Sequence, residues 1–265
     1  MQFTIDSDEG LPIRGNLDLP ERPRALAVVA HGFKGFKDWG FFPWLSERLC
    51  RHRIAVCRFN MSRSGIGDDR ESFDRLDLFA DDTYSAQVAD LARVAAYGQR
   101  QVGELPTFLI GHSRGGGVAV LAAPQIAALE GVVTWSAIAR ADRWDEATKE
   151  QWRRDGRMDV VNARTKQVMS MSTRMLDDYD AHRPQLDILA AASRLTVPLL
   201  VIHGARDESV PVAESAEIEA AATDVSRLVI ANASHTYNAI HPLVHVPKEL
   251  TLAAEVTAHF IGVYA

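Results

Sequence analysis

Leu109-Ile110-Gly111-His112-Ser113-Arg114-Gly115-Gly116-Gly117 decides the fold. Pro106-Thr107-Phe108-Leu109-Ile110, just before it, is the short apolar run of a fully buried strand. Val118-Ala119-Val120-Leu121-Ala122-Ala123, just after it, reads as a helix rich in small residues. A strand that passes at once into a helix forces its corner residue into a strained backbone conformation. Glycines at 111 and 115 remove the Cβ atoms that would clash as strand and helix close on each other. Gly-x-Ser-x-Gly in that setting holds Ser113 out at the carboxyl edge of a sheet. Beneath its hydroxyl lies a helix N-terminus, whose unpaired N–H groups and positive dipole end suit a developing oxyanion.

Working outward, strand-like and helix-like runs alternate. Phe3-Thr4-Ile5 and Ile13-Arg14-Gly15-Asn16-Leu17 flank the turn-forming Ser7-Asp8-Glu9-Gly10 and read as an edge hairpin. Ala25 to Ala30, Ile54 to Phe59, Val132 to Trp135, Val197 to His203 and Leu228 to Ile230 are further apolar runs. Helices are expected around Trp44–Leu49, over Phe79–Tyr97 and over Glu249–Phe260. This alternation predicts an α/β chain with a doubly wound, mostly parallel sheet covered on both faces. Ligands of such sheets bind outside the carboxyl ends of the strands, where the glycine-rich loops fall. Residues 1–265 are expected to form one domain. From Ser136 to Arg194 the alternation stops: the stretch is charged, lacks a strand-like run, and suggests helices over Trp144–Arg154 and Arg164–Asp178. It reads as a small helical lid, 136–194, inserted over the sheet's carboxyl edge. Trp144, Trp152, Met158, Met169, Met171, Met175 and Tyr179 in it either line an adaptable apolar pocket or pack the lid onto the domain.

The 265-residue chain is 47% hydrophobic, enough for a sizeable core, and its formal net charge of -6 without a basic block argues against nucleic acid. No apolar run approaches the roughly 20 residues of a membrane span. The N-terminus lacks the basic-then-apolar pattern of a signal peptide. Cys50 and Cys57 are expected as buried thiols rather than a disulfide, in keeping with a reducing cytoplasm.

A serine hydroxyl is a poor nucleophile near neutral pH and needs a base, which itself needs an orienting group. Where this elbow opens a helix of a doubly wound sheet, the acid and the histidine follow in that order. Asp207 lies just past the run ending at His203, and His235 just past the run ending at Ile230. Glu208 is the rival acid; His241 and His245 are rival bases, set in an irregular loop by Pro242 and Pro247. The oxyanion hole is expected from the backbone N–H groups of Arg114 and Phe33, the latter in His31-Gly32-Phe33-Lys34-Gly35, with His31 holding that loop in shape. Lys34, Trp144, Met171, Met175 and Tyr237 are candidate substrate contacts. Arg114, Lys34 and Lys37 either attract a carboxylate-bearing substrate or are neutralised locally, Arg114 by a lid acid such as Asp177 or Asp178. His241-x-x-x-His245 has the spacing of a metal pair, but the prolines deny it the regular helix it needs. No metal and no organic cofactor is implied, since the glycine-rich loops match neither a P-loop nor a dinucleotide fingerprint.

Taken together, His31-Gly32, Gly111-His112-Ser113-Arg114-Gly115-Gly116, His203-Gly204…Asp207…Val210-Pro211 and Ser234-His235 resemble the α/β-hydrolase superfamily. The flavour is that of the carboxylesterases of the dienelactone-hydrolase and cinnamoyl-esterase kind, in which a short helical insertion covers the site. The resemblance implies a triad of Ser113, Asp207 and His235 with the Phe33 and Arg114 amides as oxyanion hole. It departs from the pattern in three places. Ser113 stands where enzymes most like dienelactone hydrolase itself carry cysteine, Arg114 follows the serine, and Asn60-Met61-Ser62-Arg63-Ser64-Gly65 replaces a commoner Asp-x-Arg-Gly loop. The function read from all this is hydrolysis of small to medium carboxylic esters through an acyl-enzyme. The alternatives are a serine peptidase for short peptides or aminoacyl groups, which would use Asp177, Asp178 or Asp180 to hold a free amine, and a non-enzymatic binder. The expected partner is a small-molecule ester, with neither nucleic acid nor membrane, for a cytoplasmic monomer or homodimer.

Overall fold

A computed structural model describes residues 1–67 and 71–265. Eight strands build the main sheet: β1 (Gln2–Asp6), β2 (Pro12–Asp18), β3 (Ala25–Ala30), β4 (Ile54–Phe59), β5 (Thr107–His112), β6 (Leu129–Trp135), β9 (Leu199–Gly204) and β10 (Val225–Ile230). Their spatial order is β1-β2-β4-β3-β5-β6-β9-β10. The β1–β2 and β2–β4 pairs are antiparallel and every other pair is parallel, as the alternation predicts. A separate antiparallel hairpin joins β7 (Arg157–Val161) and β8 (Val168–Ser172).

The central strands are buried along their whole length, which is why they read as apolar runs rather than as alternating patterns. Their side chains still divide by parity. Leu26, Val28, Leu109, Val132, Leu199 and Val201 enter one core; Ala27, Val29, Phe108, Ile110, Val133, Trp135, Leu200 and Ile202 enter the other. The helices α3 (Tyr84–Val102) and α4 (Arg114–Ala122) close the first side, with α7 (Ile188–Ser193) and α8 (Ala213–Ala221) beside them. The helices α1 (Phe42–Arg51) and α9 (Lys248–Tyr264) close the second. Among the described residues no helix is long and apolar enough to cross a membrane.

The register of the parallel strands builds the site. Ala30 pairs with Gly111, His112 with Trp135, Trp135 with Ile202, and Gly204 with Ile230. The loops leaving β3, β5, β9 and β10 therefore emerge along one carboxyl edge. Between β5 and α4 the backbone is as tight as the glycines imply. A Cβ on Gly111 would sit 2.1 Å from the Gly115 carbonyl oxygen, and one on Gly115 would sit 2.5 Å from the carbonyls of Ala30 and His31. These are backbone atoms of packed elements and cannot swing aside. Gly111→Ala is expected to cost at least about 3 kcal/mol. Urea unfolding measures this, and an unchanged midpoint would show that strand and helix can separate without penalty.

Three local expectations need correction. The helix expected over Phe79–Tyr97 is two helices, α2 (Leu76–Ala80) and α3, because Thr83 stops the chain between them and caps α3 through Oγ1, which accepts the Ala86 N–H at 3.2 Å. The second lid helix, expected over Arg164–Asp178, gives way to the β7–β8 hairpin followed by α6 (Arg174–Ala181). Val168-Met169-Ser170-Met171-Ser172 alternates, with Met169 and Met171 buried, and Asn162 Oδ1 organises the turn by accepting the Arg164 and Thr165 N–H groups. The first lid helix is α5 (Glu146–Asp155), capped by Asp145 and stopped by Gly156 in the left-handed region. Cys50 and Cys57 are both free thiols, but only Cys57 is buried, Cys50 being half-exposed.

Candidate active site

Ser113 sits on the corner between β5 and α4 with φ 57° and ψ −121°, a region that non-glycine residues rarely enter. The loop after β3 presses against it: a Cβ on Gly32 would come within 2.9 Å of Ser113 Cβ and 3.4 Å of its Oγ. Phe33 follows directly. Among the described residues neither the Phe33 nor the Arg114 backbone N–H has a hydrogen-bond partner. His31 holds the loop as expected. Its Nδ1–H donates to the Gly32 carbonyl at 2.9 Å and its Nε2 accepts the Met61 N–H at 3.2 Å, tying the β3 loop to the β4 loop. Burial lowers His31 to about 4, so the ring is neutral in this role.

Asp207 and His235 meet as the order of strand ends suggests. His235 Nδ1–H donates to Asp207 Oδ2 at 2.8 Å and lies 3.0 Å from Oδ1. The Asp207 side chain has no exposed surface. Its Oδ1 also accepts the Ser209 and Val210 N–H groups at 2.9 and 2.8 Å, and its Oδ2 faces His203 Nε2 at 3.2 Å. Burial disfavours the carboxylate, but the bonds from His203 and His235 and the backbone outweigh it and hold Asp207 well below the usual carboxylate range. His203 is fully buried, and its Nε2–H also reaches the Val210 carbonyl at 3.0 Å. This support of the acid by a second histidine was not read from the sequence, although the pair lies four residues apart across a strand end. Glu208, the rival acid, is exposed and offers only Oε2 to the His235 backbone N–H at 3.4 Å.

His112 links the serine's corner to the His235 loop. Its Nε2–H donates to the His235 carbonyl at 2.9 Å, and the two rings lie 4.7 Å apart, centre to centre. Burial, then the neighbouring His235 ring, lower His112 to about 3, so it too is neutral. No hydrogen bond joins Ser113 Oγ to His235 among the described residues; His112, next in the chain to Ser113, brings the two segments side by side. The rival bases lie apart. His241 accepts the Gly40 N–H at 2.8 Å through Nδ1 and stacks on Trp39, while His245 is exposed in the irregular segment before α9.

Arg114 pairs with neither Asp177 nor Asp178. Its guanidinium carbon lies 4.1 Å from the Phe33 ring centre and 5.0 Å from that of Tyr84, and its Nη1 lies 3.5 Å from Asp82 Oδ2. Burial lifts Asp82 to about 7 against the pull of Arg114. Asp82 and Tyr84, both buried and more than twenty residues upstream, were not singled out from the sequence. Asp178 is taken by the Ser85 N–H and by His182, and Asp180 by Arg153 and Arg183. Lys34 is half-buried; its Nζ donates to the Val161 carbonyl at 2.9 Å, joining the β3 loop to the β7–β8 hairpin. Lys37 is buried and pairs with Asp38.

Of the other candidate substrate contacts, Tyr237, Met171 and Met175 are core side chains and Trp144 is partly buried. Tyr237 has no exposure, and its hydroxyl donates to the Ile202 carbonyl at 3.0 Å behind the sheet edge. Met171 and Met175, with Met169 and Trp152, are buried in the larger core, and Trp144, Met158 and Tyr179 pack against it. They fasten the 136–194 stretch to the body, the packing alternative of the two.

Comparisons with known proteins bear on the fold. The chain superposes on Est1E from Butyrivibrio proteoclasticus, solved with ferulic acid bound, with a TM-score of 0.73 at 20% identity over 99% of this chain and 98% of that one. The esterase domain of a Rhodothermus marinus protein gives 0.71 at 18% over 100% and 98%. A dienelactone hydrolase from Anabaena variabilis gives 0.65 at 17% over 100% and 98%. At these identities the likeness is one of fold. No curated protein sequence matches the chain. The family model described as alpha/beta hydrolase family matches residues 27–250, from β3 through the carboxyl-edge loops to the first turn of α9, and the chain accordingly belongs to the alpha/beta hydrolase family.

Proposed function

We propose that the protein is a serine hydrolase that cleaves carboxylic esters of small to medium acyl groups through an acyl-enzyme. The observation that carries this reading is the His235 Nδ1–Asp207 Oδ2 bond of 2.8 Å, set beside a serine on a strained strand-to-helix corner. A carboxylate on Nδ1 leaves Nε2 as the basic nitrogen of His235. In the first step Ser113 Oγ attacks the ester carbonyl and His235 Nε2 takes its proton. The carbonyl oxygen becomes an oxyanion, held by the Phe33 and Arg114 amides, which have no hydrogen-bond partner among the described residues. Collapse expels the alcohol, protonated by His235; water then attacks the acyl-enzyme by the same route and frees the acid. The Ser113–His235 bond forms on substrate binding, as such bonds commonly tighten only in the complex.

Residues 136–194 act as a lid insertion over this edge, and the Lys34–Val161 bond from the oxyanion loop to the hairpin supports that role. Of Asp177, Asp178 and Asp180, the candidates to hold a substrate amine in a peptidase, Asp178 and Asp180 are engaged within the protein and Asp177 accepts from Thr173 Oγ1 at 3.3 Å, which does not favour that reading. The test is hydrolysis of p-nitrophenyl esters of increasing acyl length. Turnover is expected, with its optimum at short to medium chains. No turnover of any ester, from a protein whose Ser113 is still labelled by a fluorophosphonate, would keep the nucleophile and overturn the substrate.

A further inference from the structure

Arg114 is an expensive residue where it stands. Its side chain is only 6% exposed, and a buried guanidinium is unfavourable unless well paired. Its carboxylate partner among the described residues, Asp82 Oδ2, is 3.5 Å away, and Asp82 Oδ1 has no partner among them. An apolar side chain of similar volume would pack there without that cost. What a guanidinium offers instead is a flat cation that lies on aromatic faces. Arg114 lies over the Phe33 ring at 4.1 Å, and the Phe79 ring is stacked on Phe33 at 5.6 Å and 25°. Phe33 thus contacts both a helix-borne cation and a buried ring. It is also the residue whose backbone N–H is read above as one oxyanion donor, while the N–H of Arg114 is the other.

We infer that the Arg114 side chain is a positioning residue for the oxyanion hole: laid on the Phe33 ring and anchored at Asp82, it fixes the β3 loop against the N-terminus of α4 so that the two amides converge. The inference rests on the proposed oxyanion hole, and extends it from two backbone groups to the side-chain contact that registers them. Other side chains of the loop bond elsewhere: His31 reaches the β4 loop and Lys34 the lid hairpin. Arg114 adds a side-chain tie between the loop and α4, beyond the backbone packing of Gly32 on Ser113 and of Gly115 on the Ala30 and His31 carbonyls. Because it acts on the geometry of the transition state and touches no part of the substrate, its loss should lower kcat and leave KM in place.

The experiment measures kcat and KM on an aryl ester, the second-order rate of fluorophosphonate labelling, and Tm, for the wild type, R114M, R114K, F33L and R114M/F33L. Phosphonylation forms the Oγ–P bond and breaks P–F, with the phosphoryl oxygen entering the same hole, so it reads the amides whether or not esters are the substrate. R114M is expected to lose about 10- to 100-fold in kcat and in labelling rate, with KM within about twofold, since misplacing one donor costs somewhat less than deleting it. R114K keeps the charge without the flat face and should lose nearly as much. F33L keeps the amide and removes the ring, and the double variant should be no worse than either single one. The inference is overturned by R114M with wild-type kcat and labelling, by a change confined to KM or to Tm, or by fully multiplicative losses in the double variant. A wild type that is not labelled at Ser113 overturns the inference and the serine reading together. Labelling without ester turnover leaves the substrate reading as the one that failed, and the labelling rates then decide the inference.

Discussion

Ser113→Ala is expected to lower ester turnover by a factor of about 10⁴ or more and to abolish fluorophosphonate labelling. Binding and the oxyanion hole would account for what activity remains. Fold loss should not confuse the result. Alanine carries the same Cβ as serine, so the strain at φ 57° is neither relieved nor increased, and no hydrogen bond from Ser113 Oγ is given up among the described contacts. A variant that retained more than about a tenth of wild-type turnover would mean that the reaction does not pass through Ser113.

Asp207→Asn is the second large effect, expected at about 10⁴ in kcat with KM little changed. The carboxylate is acceptor to four groups: the N–H of Ser209, the N–H of Val210, His235 Nδ1 and His203 Nε2. An amide has one oxygen and one NH₂, so in either orientation its NH₂ meets a donor. The ring of His235 can escape only by moving its proton to Nε2, and that nitrogen then has nothing with which to accept the serine proton. Stability should respond to pH in a defined direction. Asp207 titrates below its unfolded value, so its contribution is present above roughly pH 4 and is lost as pH falls toward the native pKa. The variant should therefore show a shallower loss of stability in acid than the wild type. Chemical denaturation at pH 3.5 and pH 7 measures it; a kcat within tenfold of wild type would remove Asp207 from the machinery.

The parts of this protein that could be read from its residues are those governed by short-range rules. Gly111, Ser113 and Gly115 are intelligible as a unit because strand, corner and helix are contiguous, and the geometry follows from which positions can tolerate a Cβ. Asp207 and His235 are legible because each falls just past a buried run, and parallel register sends all such ends to one edge. Arg114 illustrates what is not legible. Asp177 and Asp178 were plausible partners by charge, but the partner is Asp82, 32 residues earlier, brought in by the short break between α2 and α3. The β7–β8 hairpin was missed for a different reason. Its alternation runs over only five residues amid charged neighbours, and methionine and serine are weak strand formers, so a helical period fitted as well. Tyr237 lies two residues from His235 yet turns into the core beside Trp135, a direction that sequence proximity does not encode.

The two histidines that lash the loops together have a bearing on how the molecule meets acid. His31 ties the β3 and β4 loops and His112 ties the serine's corner to the His235 segment, each as a neutral ring, at about 4 and about 3. An unperturbed imidazole gains its charge near pH 6.5. Through the mildly acidic range these two rings keep their protons where they are, and the bonds they make survive. Mild acid, which charges an ordinary histidine, therefore leaves the loops around the candidate site lashed together. A return to neutral pH then has none of these loop ties to rebuild.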